Sequence, residues 1–251
     1  MKKNITYTSS AIEEFYRSNR IQWTHFYESE RRIIEKIGIN ENFRILDVGC
    51  GCGGLGLALR ERFGVNEYTG VEINYQSVLT AKKMNPQAFI IQGDILEVDS
   101  SIIGKANFDV VFSLSCVDWN IQFNQMLSAL WAYVIPGGHL ISTFRLTTDT
   151  GCEELAKSYQ YINFDGKKNG ECAPYIVKNV SDLLHQIIVL SPSDIHAYGY
   201  WGVPSASAST PYDRLCFAAF AIRKHDKGES GIPKMSLDLP QEILSSINLK
   251  D

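Results

Sequence analysis

Residues 45–59, ILDVGCGCGGLGLAL, constrain this chain more than any other stretch. An apolar, β-rich run ends in Asp47, and a turn crowded with glycine then leads into a helical pattern that begins near Leu55. A strand that passes through such a turn into a helix leaves backbone N–H groups free at the carboxyl edge of a sheet, where open α/β folds take their ligands. The turn therefore reads as a cofactor cradle. Its two cysteines, Cys50 and Cys52, read as small fillers between glycines. The six cysteines, Cys50, Cys52, Cys116, Cys152, Cys172 and Cys216, contain no C-x-x-C pair and are spread as reduced thiols are in a cytosolic enzyme. No metal site is expected, because zinc needs about four ligands in workable geometry.

The chain continues in the same grammar. "FRILDV", "EYTGVEI", "AFIIQGD" and "FDVVFSLS" are short β-rich runs separated by amphipathic stretches such as "GLGLALRERFG" and "YQSVLTAKKM". "HLISTFRL" supplies a fifth strand after the helix and turn "IQFNQMLSALWAYVIPGG". Such alternation predicts a parallel sheet with crossover helices. Residues 147–178 interrupt it: they are polar, glycine-punctuated and too long for an ordinary connection, so an inserted lid or specificity loop is expected. "NVSDLLHQIIVL" then reads as a helix, and "SDIHAYGYWG" and "RLCFAAFAIRK" as the last strands.

Ahead of the sheet, Ser10 and Glu13 form a capping-box pattern. Phe15, Trp23, Phe26, Tyr27, Ile33, Ile34 and Ile37 recur at near-helical spacing up to Gly38, which predicts an aromatic-rich helical cap. With 251 residues, 45% of them hydrophobic, and neither a linker nor an internal repeat, a single domain is expected. Its parts are a cap (1–43), a cofactor-binding half (44–146), the insertion (147–178), a last helix with hairpin strands (179–225) and a polar tail (226–251). The net charge of −4 gives no general pull toward nucleic acid or anionic lipid. No run of about 18 apolar residues is present to span a membrane, and the start "MKKNITYTSSAIEEFYRSNR" lacks the apolar core of a signal peptide. A cytoplasmic protein without nucleic-acid or membrane partners is expected. Its oligomeric state stays open, since the cap or the tail can serve as a contact.

Gly49, Gly51 and Gly54 satisfy G-x-G-x-x-G, and Glu72 lies about twenty residues further on, so a nicotinamide-dependent oxidoreductase is one reading. Three features point elsewhere. About forty residues, mostly helical, precede the loop; Asp47 extends the motif to D-x-G-x-G-x-G over Asp47, Gly49, Gly51 and Gly53; and "QGD" puts Asp94 at the same sheet edge as Glu72. With these residues in this order the sequence resembles the class I S-adenosylmethionine-dependent methyltransferases, over residues 44–145 by ordered motif and more loosely to 224.

The resemblance implies an α/β fold with a doubly wound, mostly parallel, seven-stranded Rossmann-like sheet of order 3-2-1-4-5-7-6, the last strand antiparallel, carrying the helical cap and the inserted lid. It implies S-adenosyl-L-methionine as cofactor. Asp47, Gly49, Gly51 and Gly53 would lie under its methionine half. Glu72 would hold the ribose hydroxyls with Ile73 beside the adenine, Asp94 the adenine amino group with Ile95 on the ring, and Ser113 would approach the amino-acid end. The chemistry agrees, since a carboxylate accepting two hydrogen bonds suits a diol.

"SCVDWN" follows the fourth strand, where this family meets its acceptor, and it is not the N/D-P-P-Y/F signature of amino-group methylation on DNA bases. Asp118 is a candidate catalytic base or orienting group, or else the cap of the next helix. Trp119 is a candidate pocket wall, Arg145 a candidate holder of an anionic acceptor, and Tyr200 a candidate acceptor contact, each against a plain packing or ion-pair role. His196, on the sixth strand, is a secondary catalytic candidate. The expected function is methyl transfer to a hydroxyl or amine of a small polar or sugar-linked metabolite. The alternatives are the oxidoreductase and a non-catalytic cofactor-binding partner subunit.

Overall fold

A computed structural model describes residues 9–104, 107–163 and 165–249. The part of the signal-peptide reading that rests on residues 1–8 lies outside them. The cap comes first, as α1 (Ala11–Tyr16) and α2 (Glu28–Ile37) with a 3-10 turn at Trp23–His25 between them. The helical spacing expected up to Gly38 is thus realised in pieces, because Arg20 takes a left-handed φ of 58° and Phe26 is extended. The expected capping box at Ser10 and Glu13 does not form: the Ser10 hydroxyl donates to Glu14 at 2.6 Å. Glu30 does the capping instead, accepting the Tyr27 N–H at 2.8 Å at the start of α2. Gly38, in the left-handed region at φ 71°, ends that helix as its sequence position suggests.

The alternating half follows as β1 (Arg44–Val48), α3 (Gly54–Phe63), β2 (Glu67–Glu72), α4 (Tyr75–Met84), β3 (Phe89–Gln92), α5 (Ser100–Ile103), β4 (Phe108–Ser113), α6 (Phe123–Tyr133) and β5 (Val134–Thr147). The remainder is β6 (Tyr159–Tyr161), β7 (Cys172–Pro174), β8 (Lys178–Asn179), α7 (Val180–Val189), β9 (Pro192–Gly202), β10 (Ala208–Ser209), β11 (Leu215–Lys224), β12 (Lys234–Asp238) and α8 (Gln241–Ser245).

Among the described residues nine strands form one sheet in the spatial order β3-β2-β1-β4-β5-β11-β9-β12, with β8 beside the end of β5. The first five strands are parallel, and β11 runs antiparallel to both β5 and β9. With β11 in the seventh place and β9 in the sixth, this is the expected 3-2-1-4-5-7-6 order, extended by two strands. β8 pairs with Leu146 and Thr147 of β5, beyond Ser142, where β4 stops. β12 comes from the polar tail, residues 226–251, where no strand was expected. Residues 234–238 pair in parallel with β9, Leu239 and Ile243 are buried, and α8 closes the end of the core.

Each central strand is buried on both faces, so its residues alternate between two apolar layers. Leu46 and Val48 join α6, α7 and α8 on one side; Ile45, Val110 and Phe112 join α2, α3 and α4 on the other. The carboxyl ends of β1 to β4 are left to the loops. The 147–178 insertion holds β6 and β7, which make a separate three-stranded sheet with β10 from the connection between β9 and β11. The insertion is therefore supported by residues that lie beyond its expected boundary. Among the described residues no helix is long and apolar enough to cross a membrane.

Candidate functional site

The site begins where β1 runs out. The N–H groups of Gly49 and Cys50 both donate to the Val71 carbonyl, at 2.8 and 3.2 Å, which draws the loop back over β2. Gly49 has φ 77°, and a Cβ on it would fall on the Cys116 sulfur. Gly54 lies so close under the Arg20 carbonyl that it has no room for a Cβ. Glycine is needed here for close approach as well as for the turn: the loop is held between the end of β4 and the cap.

Two carboxylates flank this loop. Glu72, buried at the end of β2, accepts the Gly51 N–H at 2.8 Å and the Asn74 N–H at 2.7 Å. A carboxylate has about four acceptor positions, and the Ile73 N–H also bears on this one, so at least about one remains for a ligand. Burial raises the proton affinity of Glu72, and the N–H groups of Asn74 and Gly51 oppose the rise. Asp47 is also buried and accepts the Tyr68 hydroxyl at 2.6 Å. Burial pushes its pKa up to about 7, against the pull of Tyr68 and of the Arg20 charge.

Around them opens a cavity of about 1100 Å³, mouth included. Asp47, Gly49, Gly51 and Gly54 form its floor, and Glu72 and Ile73 after β2 one wall, continued by Gly93, Asp94 and Ile95 after β3. Leu114, Ser115 and Cys116 after β4, with Trp119, Asn120 and Met126, form the facing wall. Asp94 spends one oxygen on the Leu96 N–H at 3.0 Å.

The cap closes the remaining side with Ile12, Tyr16, Asn19, Arg20 and Phe26. It is tied down by Thr80 of α4, whose hydroxyl donates to Glu13 at 2.8 Å, and by Glu171 of the insertion, which accepts the Ser9 N–H at 2.8 Å. Ile12 packs with Ile162 and Ala173 of the insertion, and Tyr16 and Trp119 lie against that cluster. Cap and insertion thus meet beside Trp119, over the cavity.

Of the residues expected from sequence, the structure brings Asp47, Gly49, Gly51, Glu72, Ile73, Asp94, Ile95 and Trp119 onto this one surface. Others it places elsewhere. Gly53 sits behind the floor at the start of α3, its carbonyl accepting the Asn85 amide at 3.1 Å. Ser113 is fully buried, its hydroxyl accepting the Val117 N–H at 3.2 Å, and the cavity wall starts one residue later at Leu114.

Asp118 and Arg145 have found each other, which corrects both expectations. The Arg145 guanidinium lies 3.0 Å from the Asp118 carboxylate and donates to the Asp118 carbonyl at 3.1 Å, with both side chains buried and neither on the cavity wall. It also stacks 3.8 Å from the centre of the Tyr175 ring. Arg145 is thereby spent as a holder of an anionic acceptor. Asp118 has no access to act as a base; burial raises its pKa against the opposing Arg145 charge. The pair has a positioning effect instead. It pins the turn carrying Trp119 and Asn120, and the Ile176 N–H of the insertion donates to the same carbonyl at 2.9 Å.

His196 and Tyr200 are on β9, four strands from β1. At roughly 4.8 Å per strand this is about 19 Å from the glycine loop, too far for a side chain to reach. His196 lies between β11 and β12, beside Asp194 and Lys36, and Tyr200 packs on Phe217 and the start of α2.

Sequence reasoning missed the individual cap residues, Tyr16 and Arg20 above all. Their only signal is aromatic and cationic residues ahead of a glycine loop, which does not say which of them turn inward. It also discounted the thiols. Cys50, Cys52 and Cys116 line the cavity, but burial pushes Cys52 up to about 12 and the other two well above the ordinary thiol value, so they act there as neutral, apolar surface. Among the described residues no three His, Cys, Asp or Glu side chains converge to hold a metal.

Residues 45–138 match the family model of a methyltransferase domain. The chain is 28% identical over 137 residues to a malonyl-[acyl-carrier protein] O-methyltransferase of Buchnera aphidicola, covering 55% of this chain and 53% of that one. It is 20% identical over 173 residues to phosphoethanolamine N-methyltransferase 1 of Zea mays, covering 68% of this chain and 29% of that one. The chain thus spans about half, or less, of the length of these relatives. Among solved structures, phosphoethanolamine N-methyltransferase 2 of Haemonchus contortus in complex with S-adenosyl-L-methionine superposes with a TM-score of 0.56 at 15% identity, covering 80% of this chain and 53% of that one. The [4+2]-cyclase SpnF superposes with a TM-score of 0.53 at 13% identity, covering 78% of this chain and 80% of that one. The shared fold by itself does not choose the reaction.

Proposed function

We infer that this chain, whose residues 45–138 match the model of a methyltransferase domain, is a class I S-adenosylmethionine-dependent methyltransferase that binds S-adenosyl-L-methionine in the cavity at the carboxyl ends of β1 to β4 and directs its methyl group to a hydroxyl or amine of a small polar or sugar-linked metabolite. The observation that carries this reading is Glu72. It is a buried carboxylate, fixed by two backbone N–H groups and with acceptor capacity to spare, beside a glycine floor that a Cβ would fill. Such a group suits a ribose diol. Asp94 and Ile95, two to three residues beyond the end of the neighbouring strand, offer an acceptor and an apolar face for an adenine ring.

When bound, the cofactor supplies a methyl group on a positively charged sulfur, and its displacement needs an in-line nucleophile in a water-poor pocket. The residues of this chain supply position and dryness. Glu72, Asp94 and the loop hold the nucleoside and amino-acid parts. Trp119 and Asn120, braced by the Asp118–Arg145 pair, present one wall to the acceptor. Ile12 and Tyr16 meet the insertion over the mouth and keep water out, so the cap and residues 147–178 act together as the lid.

Thermal-shift and calorimetric titrations with S-adenosylmethionine, S-adenosylhomocysteine and NAD test the cofactor. A methyl-transfer assay over small hydroxyl and amine acceptors, with phosphoethanolamine, a sterol and a malonyl thioester added because of the relatives, tests the reaction. Stabilisation by S-adenosylhomocysteine together with turnover of a small acceptor is expected. Stabilisation by NAD alone would return the oxidoreductase, and cofactor binding without any turnover would favour the partner subunit.

A further inference from the structure

We propose that the methyl acceptor is an uncharged aromatic compound whose nucleophile is a weakly basic N–H nitrogen, an aryl amine or an azole, and that the Ser115 hydroxyl aims that nitrogen. This deepens the functional reading above by choosing among its acceptors, and it rests on that reading.

The cavity is acidic. Asp47, Glu72 and Asp94 face one guanidinium among the described lining residues, that of Arg20, which is paired with buried Glu30 at 2.8 Å. On the side left for the acceptor, the turn after β4 gives Leu114, Ser115, Cys116 and Trp119, and the cap gives Ile12 and Tyr16. These six include neither a carboxylate nor a cation, and Asp118 and Arg145 behind them consume each other. A phosphate or carboxylate would be buried here without a partner, and so would an ammonium, which also has no lone pair with which to attack. A hydroxyl or thiol needs a base. The ionisable members of this wall keep their protons: burial pushes Tyr16 up to about 12 and Cys116 well above the ordinary thiol value. There remains a nucleophile whose lone pair is free at neutral pH, on a flat body that Trp119, Tyr16 and the apolar side chains can cover.

Ser115 supplies the polar contact. It stands just past β4 in the left-handed region, at φ 51°, where a residue with a Cβ is held at a cost in conformational energy. Thr143 of β5 keeps it there, its hydroxyl accepting the Ser115 N–H at 2.6 Å. Ser142 donates to the Ser113 carbonyl at 3.1 Å, and the Ser113 hydroxyl accepts the Val117 N–H at 3.2 Å, so hydroxyls of β4 and β5 set the whole turn. The Ser115 hydroxyl itself has no partner among the described residues, and Ser115 lines the cavity. The neighbouring Asn120 amide is occupied, accepting the Gln122 N–H at 2.8 Å and donating to the Met126 sulfur at 3.1 Å. A serine oxygen that accepts an N–H of the acceptor orients the molecule and leaves the lone pair free. As the N–C bond forms, the C–S bond breaks and its electron pair returns to sulfur, leaving S-adenosylhomocysteine. The positive charge passes to the acceptor, which then loses a proton to water.

Two measurements on the full chain test this: the rate of S-adenosylhomocysteine release from S-adenosylmethionine, and calorimetric binding to the chain saturated with S-adenosylhomocysteine. The probes are aniline and benzimidazole against phenol, benzylamine, phenyl phosphate and phosphoethanolamine. Aniline or benzimidazole should exceed each of the others at least about tenfold in kcat/KM, and should bind at concentrations where benzylamine and phenyl phosphate do not. Ser115→Ala should lower kcat on that probe about tenfold, the size of one lost hydrogen bond, and leave the affinity for S-adenosylhomocysteine unchanged. Ser115→Gly should lower kcat equally while raising the melting temperature, since glycine takes the left-handed backbone without strain. Phenol, benzylamine or a phosphorylated probe turned over as fast as the uncharged nitrogens would overturn the acceptor class, and so would binding of S-adenosylhomocysteine with no turnover of either nitrogen probe. These comparisons need no variant. Unchanged kcat in both Ser115 variants, or an equal loss of kcat and of S-adenosylhomocysteine affinity, would overturn the role of Ser115. A wild type that does not bind S-adenosylhomocysteine at all removes the cofactor reading and this proposal with it.

Discussion

Asp47 carries a stability signature that can be read without any ligand. Its folded pKa of about 7 lies above the ordinary carboxylate value. Between about pH 4 and pH 7 the folded chain therefore keeps a proton that the unfolded chain has released, and stability contributed at this residue falls as pH rises through that window. Asp47→Asn removes the titration. Its melting temperature relative to wild type should climb in the variant's favour from pH 4 to pH 7 and level off above; parallel melting curves would mean that Asp47 ionises normally. Glu72→Ala, in contrast, acts on the ligand. It removes charge-assisted acceptors and leaves the Gly51 and Asn74 N–H groups without their partner, so S-adenosylhomocysteine should bind at least about tenfold more weakly by calorimetry. Unchanged affinity would take Glu72 out of the site. Both residues were legible in the sequence because each ends a β-rich run, and a strand's end fixes the sheet edge at which its residue emerges. The unlike partners of the two, a tyrosine hydroxyl and two backbone N–H groups, were not legible.

At the scale of elements, the turn after β4 shows how a site residue is lost to packing. Asp118 stands where an acceptor-facing base was expected, yet the fold turns it onto Arg145, 27 residues away, beneath Tyr175 of the insertion. Removing one partner of such a pair strands the other charge in the core. Asp118→Ala should therefore cost about 3–5 kcal/mol in chemical denaturation, whereas a paired Asp118→Leu, Arg145→Met exchange should cost much less. Equal losses in the two would show that packing, and not the stranded charge, sets the cost. The glycine loop behaves oppositely: its conformation follows from short-range spacing, so D-x-G-x-G-x-G located it, although Gly53 proved to serve the helix start and not the cavity floor. The cap lies between these cases. Its helical periodicity was visible, but its break at Arg20 was not, and that break is what brings the Arg20 side chain to the cavity.

For the whole molecule, the tail decides where the sheet ends. β9 would be an exposed edge without β12, and α8 places Ile243 in the same core as α6 and α7. Ile243→Ala should then lower unfolding stability by about 2–5 kcal/mol, the cost of a truncated core side chain. A loss below about 0.5 kcal/mol would mark the tail as an appendage.

The sequence by itself determined the alternation of strands and helices, the glycine loop and the carboxylates at the ends of β2 and β3. It did so because periods of 2 and 3.6 residues, turn chemistry and the handedness of parallel crossovers are local rules that a linear pattern can carry. Only the tertiary structure decided that Arg20 turns into the cavity, that Asp118 and Arg145 consume one another, and that His196 and Tyr200 stand four strands away. Those outcomes depend on which side chains meet across long separations in the chain. No local pattern encodes such meetings, because they are set by how the cap, the insertion and the strands compete for the same buried space.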